Sequence, residues 1–92
     1  MSGSSNGFHR RKVRIPEGVD LHARPAGLLV RAAAEQGTAI TLHANGRNAE
    51  ATSILQVLAL GVTGGSEVEL QASGQNASAA LDAIASLIEA LS

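Results

Sequence analysis

The order of periodic segments in this chain predicts an α+β fold, an open-faced two-layer sandwich in which three helices cover one face of a four-stranded antiparallel sheet. Two observations favour it. Short segments alternate apolar with polar residues, as strands with one buried face do, and between them lie segments whose apolar residues recur about every 3.6 positions, as in amphipathic helices. Because each strand has one apolar face, the other face of the sheet is expected to contact water.

The strand pattern occurs four times. The first occurrence alternates Val13 and Ile15 with charged residues and is ended by Pro16. The second and third are separated by Asn45-Gly46, a dipeptide that favours a two-residue hairpin turn, so these two strands are expected to pair antiparallel. The four predicted strands are residues 12–15, 38–44, 47–51 and 67–72.

The helix pattern occurs three times. In the first helix, Ala26, Leu29 and further apolar residues form one stripe, and Gly37 follows at the position where a left-handed glycine commonly ends a helix. Ser53 is a good N-cap for the second helix. The predicted helices are residues 23–35, 53–60 and 76–91, which gives the order βαββαβα.

Composition favours one small domain. Of the 92 residues, 45% are hydrophobic and 16% are charged, so we expect residues 9–92 to form a single compact domain and residues 1–8 to be a flexible leader or an expression remnant. The absence of cysteine excludes disulfides and thiol catalysis and fits a reducing compartment. No apolar stretch is long enough to cross a membrane and no apolar secretion signal stands at the start, so a cytoplasmic location is expected.

The formal net charge of −1 argues against a nucleic-acid-binding protein, although cationic residues crowd residues 9–14. Phe8 is the one aromatic side chain available there for base stacking, so the segment is interpreted as a solvated edge strand and the lead-in to it, and a small RNA-binding domain is the weakest alternative. His9 and His43 are expected to be exposed strand residues, and the three histidines lack the close spacing of metal ligands. We therefore expect no metal and no cofactor.

The junction between the loop at residues 17–21 and the first helix holds the candidate site. The first backbone N–H groups of a helix lack internal partners and favour a bound anion such as a phosphoryl group. His22 supplies a ring nitrogen that can attack phosphorus, and Arg24 supplies a guanidinium that suits phosphate oxygens. The backbone N–H groups of Ala23 and Arg24 are expected to bind the phosphoryl group. Pro25 falls in the first turn, where its missing N–H costs no hydrogen bond.

Other chemistries have weaker support. The segment from Gly61 to Gly65 is rich in glycine but lacks the Gly-Lys-Ser/Thr ending of a nucleotide-binding loop, and Ser53 lacks the glycine elbow of a hydrolase nucleophile. A conventional enzyme is therefore disfavoured. A histidine at a helix start can also be a plain N-cap or surface residue, so His22 alone leaves the function open.

A wider resemblance favours the phosphoryl hypothesis. From Val13 to Leu91 the chain resembles the HPr family, the histidine-containing phosphocarriers of the bacterial phosphoenolpyruvate-dependent sugar phosphotransferase system. The motifs are HARPA at residues 22–26, NG in the hairpin, SILQVLALG at residues 53–61 and GG before the last strand. The resemblance implies that His22 takes a phosphoryl group on Nδ1 from phosphorylated enzyme I, whose donor is phosphoenolpyruvate, and hands it to an enzyme IIA protein while Arg24 steadies it. The chain would then act as a carrier through a phosphohistidine and not as a conventional enzyme.

The resemblance also implies two roles for the second helix and its surroundings. Ser53 matches the serine that a dedicated kinase phosphorylates in one branch of the family, although capping alone would account for a serine there and Thr52 replaces the usual basic residue. The family meets its donor and acceptor around the histidine and the second helix, and exposed apolar clusters often mark such surfaces. The predicted docking residues are Leu28, Arg31, Ile54, Leu55 and Leu58, with a core position as the alternative for the leucines.

One departure from the family is the loop between Pro16 and His22, which is longer than usual and places Asp20 close to the nucleophile in sequence. A carboxylate there would repel a phosphoryl dianion unless the loop turns it away or Arg24 screens it. The functional alternatives are a carrier for fructose or dihydroxyacetone phosphorylation, a nitrogen-system paralogue, and a regulatory or interaction module in which His22 is inert. We expect a monomer that does not insert into membranes.

Overall fold

The structure is a computed structural model that describes residues 8–91. The predicted leader therefore lies outside the described residues except for Phe8. The elements are β1 (His9–Arg14), α1 (Ala23–Gln36), β2 (Ile40–Ala44), β3 (Arg47–Glu50), α2 (Ile54–Ala59), β4 (Glu67–Ala72) and α3 (Ala77–Glu89). Their order and the four-stranded antiparallel sheet confirm the predicted α+β sandwich.

The sheet has the strand order β1-β4-β2-β3, with antiparallel pairing throughout. The strands β1 and β3 are therefore its edges. The β2–β3 hairpin turns at Asn45 and Gly46, whose φ angles of 55° and 72° are left-handed, as the Asn-Gly signal predicts. Lys12, Glu69 and His43 are register neighbours across three strands, and each alternates with buried residues, so they lie on the face away from the core.

Strand β1 begins at His9, earlier than the predicted start at Lys12. It pairs with β4 along its whole length, so the backbone of the cationic segment belongs to the sheet. Val13 is the one buried residue of the strand, and hydrophobic alternation is the main sequence signal for a strand, so the arginine-rich half gave no such signal. On the helix side, Arg11 forms an ion pair with Asp82 of α3.

The core lies between the sheet and the helices. Helix α3 packs against β1 and β4, α2 packs against β3, and α1 contacts both other helices. The predicted apolar stripe of α1 is confirmed, because Ala26, Leu29 and Ala33 are buried. Val19 and Leu21 of the predicted loop also belong to the core, being 8% and 4% exposed. The largest fully buried side chains are Ile15, Leu29, Leu42, Leu70, Ile84, Ile88, Val57 and Val68.

Within residues 8–91 the core contains no buried polar or charged residue. In the same part of the chain, no helix combines the length and the hydrophobicity that crossing a bilayer would require. The stability of the core thus rests on aliphatic burial, at roughly 25 cal/mol for each Å² of apolar surface removed from water.

The loop that precedes α1 is held against the turn at residues 62–66. Three backbone hydrogen bonds of 2.8 to 3.0 Å join residues 15–21 to this turn. Gly64 makes the closest approach, since a Cβ atom built on it would lie 2.8 Å from the backbone nitrogen of Gly18 and 2.9 Å from the backbone oxygen of Pro16. Such distances leave no room for a methyl group, so this position requires glycine for space and not for its dihedral angles.

We predict that Gly64→Ala lowers the free energy of unfolding by about 1–3 kcal/mol, because the loop backbone must move to admit the methyl group. Gly27→Ala is the matched control. The nearest atom to a Cβ at Gly27 is 3.9 Å away and the residue lies inside α1, so this variant should gain up to about 1 kcal/mol from helix propensity. Urea unfolding of the two variants checks the signs, and equal stabilities would contradict the close approach of Gly64.

Candidate functional site

His22 stands at the N-cap of α1 with φ and ψ angles of −94° and −165°, which is extended backbone. Its carbonyl oxygen accepts the first intrahelical hydrogen bond, from Ala26 N over 2.9 Å. Its side chain makes no capping hydrogen bond, so the imidazole does not cap the N-terminus of the helix. The residue is exposed. The ring nitrogens are thus available to react with a partner from solution.

Two backbone N–H groups beside His22 lack an acceptor in the part of the chain that the structure describes. The helix begins at Ala23, Pro25 has no N–H, and Ala26 already donates to His22. The donors that remain in the first turn belong to Ala23 and Arg24, the pair that the sequence predicts. Unsatisfied N–H groups and the positive end of the helix dipole together favour an anion at this point.

Arg24 is exposed and, among residues 8–91, its guanidinium has no hydrogen-bond or ionic partner. Three other arginines differ: Arg11 pairs with Asp82, and Arg14 and Arg47 donate to backbone oxygens over 2.8 and 2.9 Å. The guanidinium of Arg24 is therefore free to bind the oxygens of a phosphoryl group.

His22 and Arg24 line an open depression of about 530 Å³. Its lining comes from the loop before α1, the N-terminal half of α1 and the residues that follow α3. The lining residues are Gly18, Val19, His22, Arg24, Pro25, Leu28, Ala90 and Leu91. The nucleophile and the cation that the sequence predicts therefore share one concave surface.

Asp20 is not among the residues that line this depression. Its carboxylate points to the turn at residues 62–66, where Oδ1 accepts a hydrogen bond from the backbone N–H of Gly64 over 3.1 Å. The loop thus turns the carboxylate away from the depression, which is the first of the two ways by which repulsion of a phosphoryl group could be avoided.

Three apolar side chains, of which Leu28 lines the depression, are exposed: Leu28 by 50%, Ile54 by 38% and Leu55 by 76%. We call these three residues the apolar patch. They lie on α1 and α2, which contact each other. Arg31 is exposed beside the patch, whereas Leu58 is half-buried and packs against the core. Leu28 and Leu55 are therefore not core residues, and Leu58 is partly one.

Comparison with known proteins assigns the family. The family model described as "PTS HPr component phosphorylation site" matches residues 9–90. The chain belongs to the HPr family of phosphocarriers of the phosphotransferase system.

Similar proteins come from several bacteria. The phosphocarrier protein HPr of Streptomyces coelicolor is 42% identical over 79 residues, which are 85% of each chain. The phosphocarrier protein NPr of Shewanella violacea is 40% identical over 80 residues, 87% of this chain and 88% of the relative. The crystal structure of an HPr from Bacillus anthracis matches with a TM-score of 0.84 at 29% identity, over 90% of this chain and 99% of the other.

Ser53, the first residue of the SILQVLALG motif, is the N-cap of α2. Its Oγ accepts a hydrogen bond from the backbone N–H of Gln56 over 3.3 Å. The capping explanation for a serine at this position is therefore confirmed. A regulatory phosphorylation of Ser53 stays a prediction.

Two side chains of the β2–β3 hairpin hold the C-terminal end of α2 through contacts that the sequence does not indicate. Asn45 Nδ2 donates to the backbone oxygen of Leu60 over 2.8 Å, and Arg47 donates to that of Ala59 over 2.9 Å. Helix α2 has six residues, too few to be stable alone, so these contacts from the hairpin fix where it ends. The sequence carries no signal for them beyond the Asn-Gly turn.

His43 is half-buried, and the prediction that it is an exposed strand residue is wrong. Its Nδ1 lies 2.9 Å from Asn48 Oδ1 and its Nε2 lies 3.1 Å from Thr41 Oγ1. Both ring nitrogens are occupied on the open face of the sheet, in contrast to those of His22. Within residues 8–91, no group of three His, Asp or Glu side chains is placed to hold a metal ion.

Proposed function

We propose that His22 accepts a phosphoryl group from phosphorylated enzyme I, whose donor is phosphoenolpyruvate, and passes it to an enzyme IIA protein during sugar uptake in the cytoplasm. The observation that carries this proposal is the arrangement of groups at the start of α1, in a chain that belongs to the HPr family. An exposed, unpaired imidazole stands at the start of α1 beside two free backbone N–H groups and a free guanidinium.

The chemistry needs little beyond these groups. The lone pair of His22 Nδ1 attacks phosphorus, a P–N bond forms, and the bond from phosphorus to the donor protein breaks. The phosphohistidine carries about two negative charges. The N–H groups of Ala23 and Arg24 and the Arg24 side chain then bind its oxygens, and the reverse sequence delivers the group to the acceptor. Ala23 and Arg24 thus stabilise the phosphohistidine by hydrogen bonds alone, so they do not prevent transfer of the phosphoryl group to the acceptor.

The apolar patch is the proposed contact surface for both partners, with Arg31 and the exposed part of Leu58 beside it. Leu28 lines the depression that holds His22, so a partner that covers the patch also reaches the nucleophile. Burial of exposed leucine and isoleucine side chains against a partner supplies affinity, while the depression stays polar where the phosphoryl group passes.

Two narrower alternatives concern the acceptor and regulation. Identity to the Shewanella violacea relative named NPr is close to that of the relative named HPr, so a nitrogen-system or dihydroxyacetone-system carrier is the second candidate. Such a carrier would use the same nucleophile with another acceptor protein. A serine kinase that acts on Ser53 would be a further partner.

We predict that the wild-type chain, incubated with enzyme I and labelled phosphoenolpyruvate, gains one acid-labile, alkali-stable phosphoryl group, whereas His22→Ala gains none. His9→Ala and His43→Ala are matched controls that remove the other two histidines. Both should be labelled as the wild type is. Full labelling of folded His22→Ala would disprove the carrier role of His22.

Arg24→Ala should keep the fold and slow phosphoryl transfer about tenfold, because hydrogen bonds to charged groups contribute about 1.5–3 kcal/mol and exposure to solvent reduces that figure. Lys12→Ala removes one cation on the opposite side of the molecule and should leave the rate unchanged. Rapid-quench measurement of the transfer rate tests both variants. An unchanged rate in Arg24→Ala would mean that the backbone N–H groups suffice.

Leu28→Glu and Leu55→Glu should each raise the dissociation constant for enzyme I by about 10- to 100-fold, with melting temperatures near that of the wild type. Ala79→Glu places the same charge on an exposed position of α3, outside the apolar patch, and should bind normally. Calorimetry of binding and thermal melting on the same samples check this. Wild-type affinity in both leucine variants would exclude the patch as the docking surface.

A further inference from the structure

Asp20 accepts two hydrogen bonds, one from the backbone of His22 and one from the turn at residues 62–66. Its carbonyl oxygen accepts a hydrogen bond from His22 N over 2.8 Å. Its carboxylate oxygen Oδ1 accepts one from Gly64 N over 3.1 Å, across 44 positions of sequence. The residue therefore connects the start of α1 to the turn at residues 62–66.

The turn at residues 62–66 is a fixed anchor. Gly64 is packed so closely on the loop backbone that a Cβ atom there would clash with Pro16 and Gly18. The next residue, Gly65, donates to Ile15 over 2.8 Å and accepts from Arg14 over 2.8 Å. By binding Gly64 N, the Asp20 carboxylate is therefore attached to a turn that is itself bonded to the end of β1.

The loop itself needs such an anchor. It has five residues between Pro16 and His22 and includes Gly18 in a left-handed conformation at φ 82°. Longer loops have more conformations to lose, although the cost grows slowly with length. Near the nucleophile, Leu21 N donates to Val62 O over 3.0 Å, and the Asp20 carboxylate adds the second contact to the same turn.

We propose that Asp20 is a positioning residue for phosphoryl transfer: by accepting the Gly64 N–H group, its carboxylate fixes the backbone on which His22 and the two free N–H groups are presented. The proposal rests on the proposed function of His22. In this proposal Asp20 acts through its hydrogen bond and not through its charge, although it lies only two positions before His22 in the sequence.

Two variants separate the hydrogen bond from the charge. Asp20→Asn keeps an oxygen acceptor for Gly64 N and removes the charge, whereas Asp20→Ala removes both. Glu17→Gln is the matched control, because it removes one charge from the same exposed loop at a carboxylate with no hydrogen bond within residues 8–91. The measurements are kcat and KM for transfer from enzyme I, together with the melting temperature of each variant.

We expect Asp20→Ala to lower kcat by up to about tenfold, the upper end of what one ordinary hydrogen bond contributes. KM should stay unchanged, because Asp20 lies outside the apolar patch. Asp20→Asn and Glu17→Gln should retain at least half of the wild-type kcat. Equal changes in Asp20→Asn and Asp20→Ala would overturn the proposal in favour of a charge effect, and a wild-type kcat in Asp20→Ala would overturn it outright.

Failure of the proposed function would look different, since the wild-type chain itself would then take no label from enzyme I. Amide hydrogen exchange of His22 and Gly64 gives a readout that needs no transfer. Exchange at both amides should be faster in Asp20→Ala than in Asp20→Asn. Equal exchange in the two variants would refute the anchoring contact independently of the carrier hypothesis.

Discussion

The loop before α1 lies against the turn at residues 62–66, and the place where α1 begins depends on that contact. Backbone hydrogen bonds of 2.8 to 3.0 Å join the two segments, and Gly64 fits between them because it lacks a side chain. Val19 and Leu21 bury their side chains from the loop into the core, so packing and hydrogen bonding hold the same few residues. Since α1 starts directly after this loop, His22 is presented on a rigid support.

The reactivity proposed for His22 follows from the groups that the start of α1 leaves unpaired. Pro25 has no N–H group, so the first turn retains two free donors, at Ala23 and Arg24. These donors bind an anion only while no local side chain competes for them, and both the imidazole of His22 and the carboxylate of Asp20 leave them free. A carrier must bind a phosphoryl group reversibly, and an exposed helix terminus provides binding without enclosing the group.

Sequence reasoning predicted the elements well because their signals are local. The stripe of α1, the Asn45-Gly46 turn and the Ser53 cap depend on neighbouring residues, and the structure has all three. It failed where contacts between distant segments decide. The arginine-rich half of β1 is a strand through pairing with β4, and the half-burial of His43 depends on its neighbours in the sheet. The Asp20 carboxylate likewise finds its partner 44 positions away, which no local pattern indicates.

The central claim is that a phosphoryl group on His22 is bound by the N–H groups that begin α1. The most direct test is a pair of ¹H–¹⁵N correlation spectra, recorded before and after phosphorylation by enzyme I. We expect the amide signals of Ala23 and Arg24 to shift downfield on phosphorylation and to return when the phosphohistidine hydrolyses, with the His22 ring signals changing in step. Unmoved Ala23 and Arg24 amides in a fully phosphorylated sample, or ring changes at His9 or His43 instead, would contradict the account.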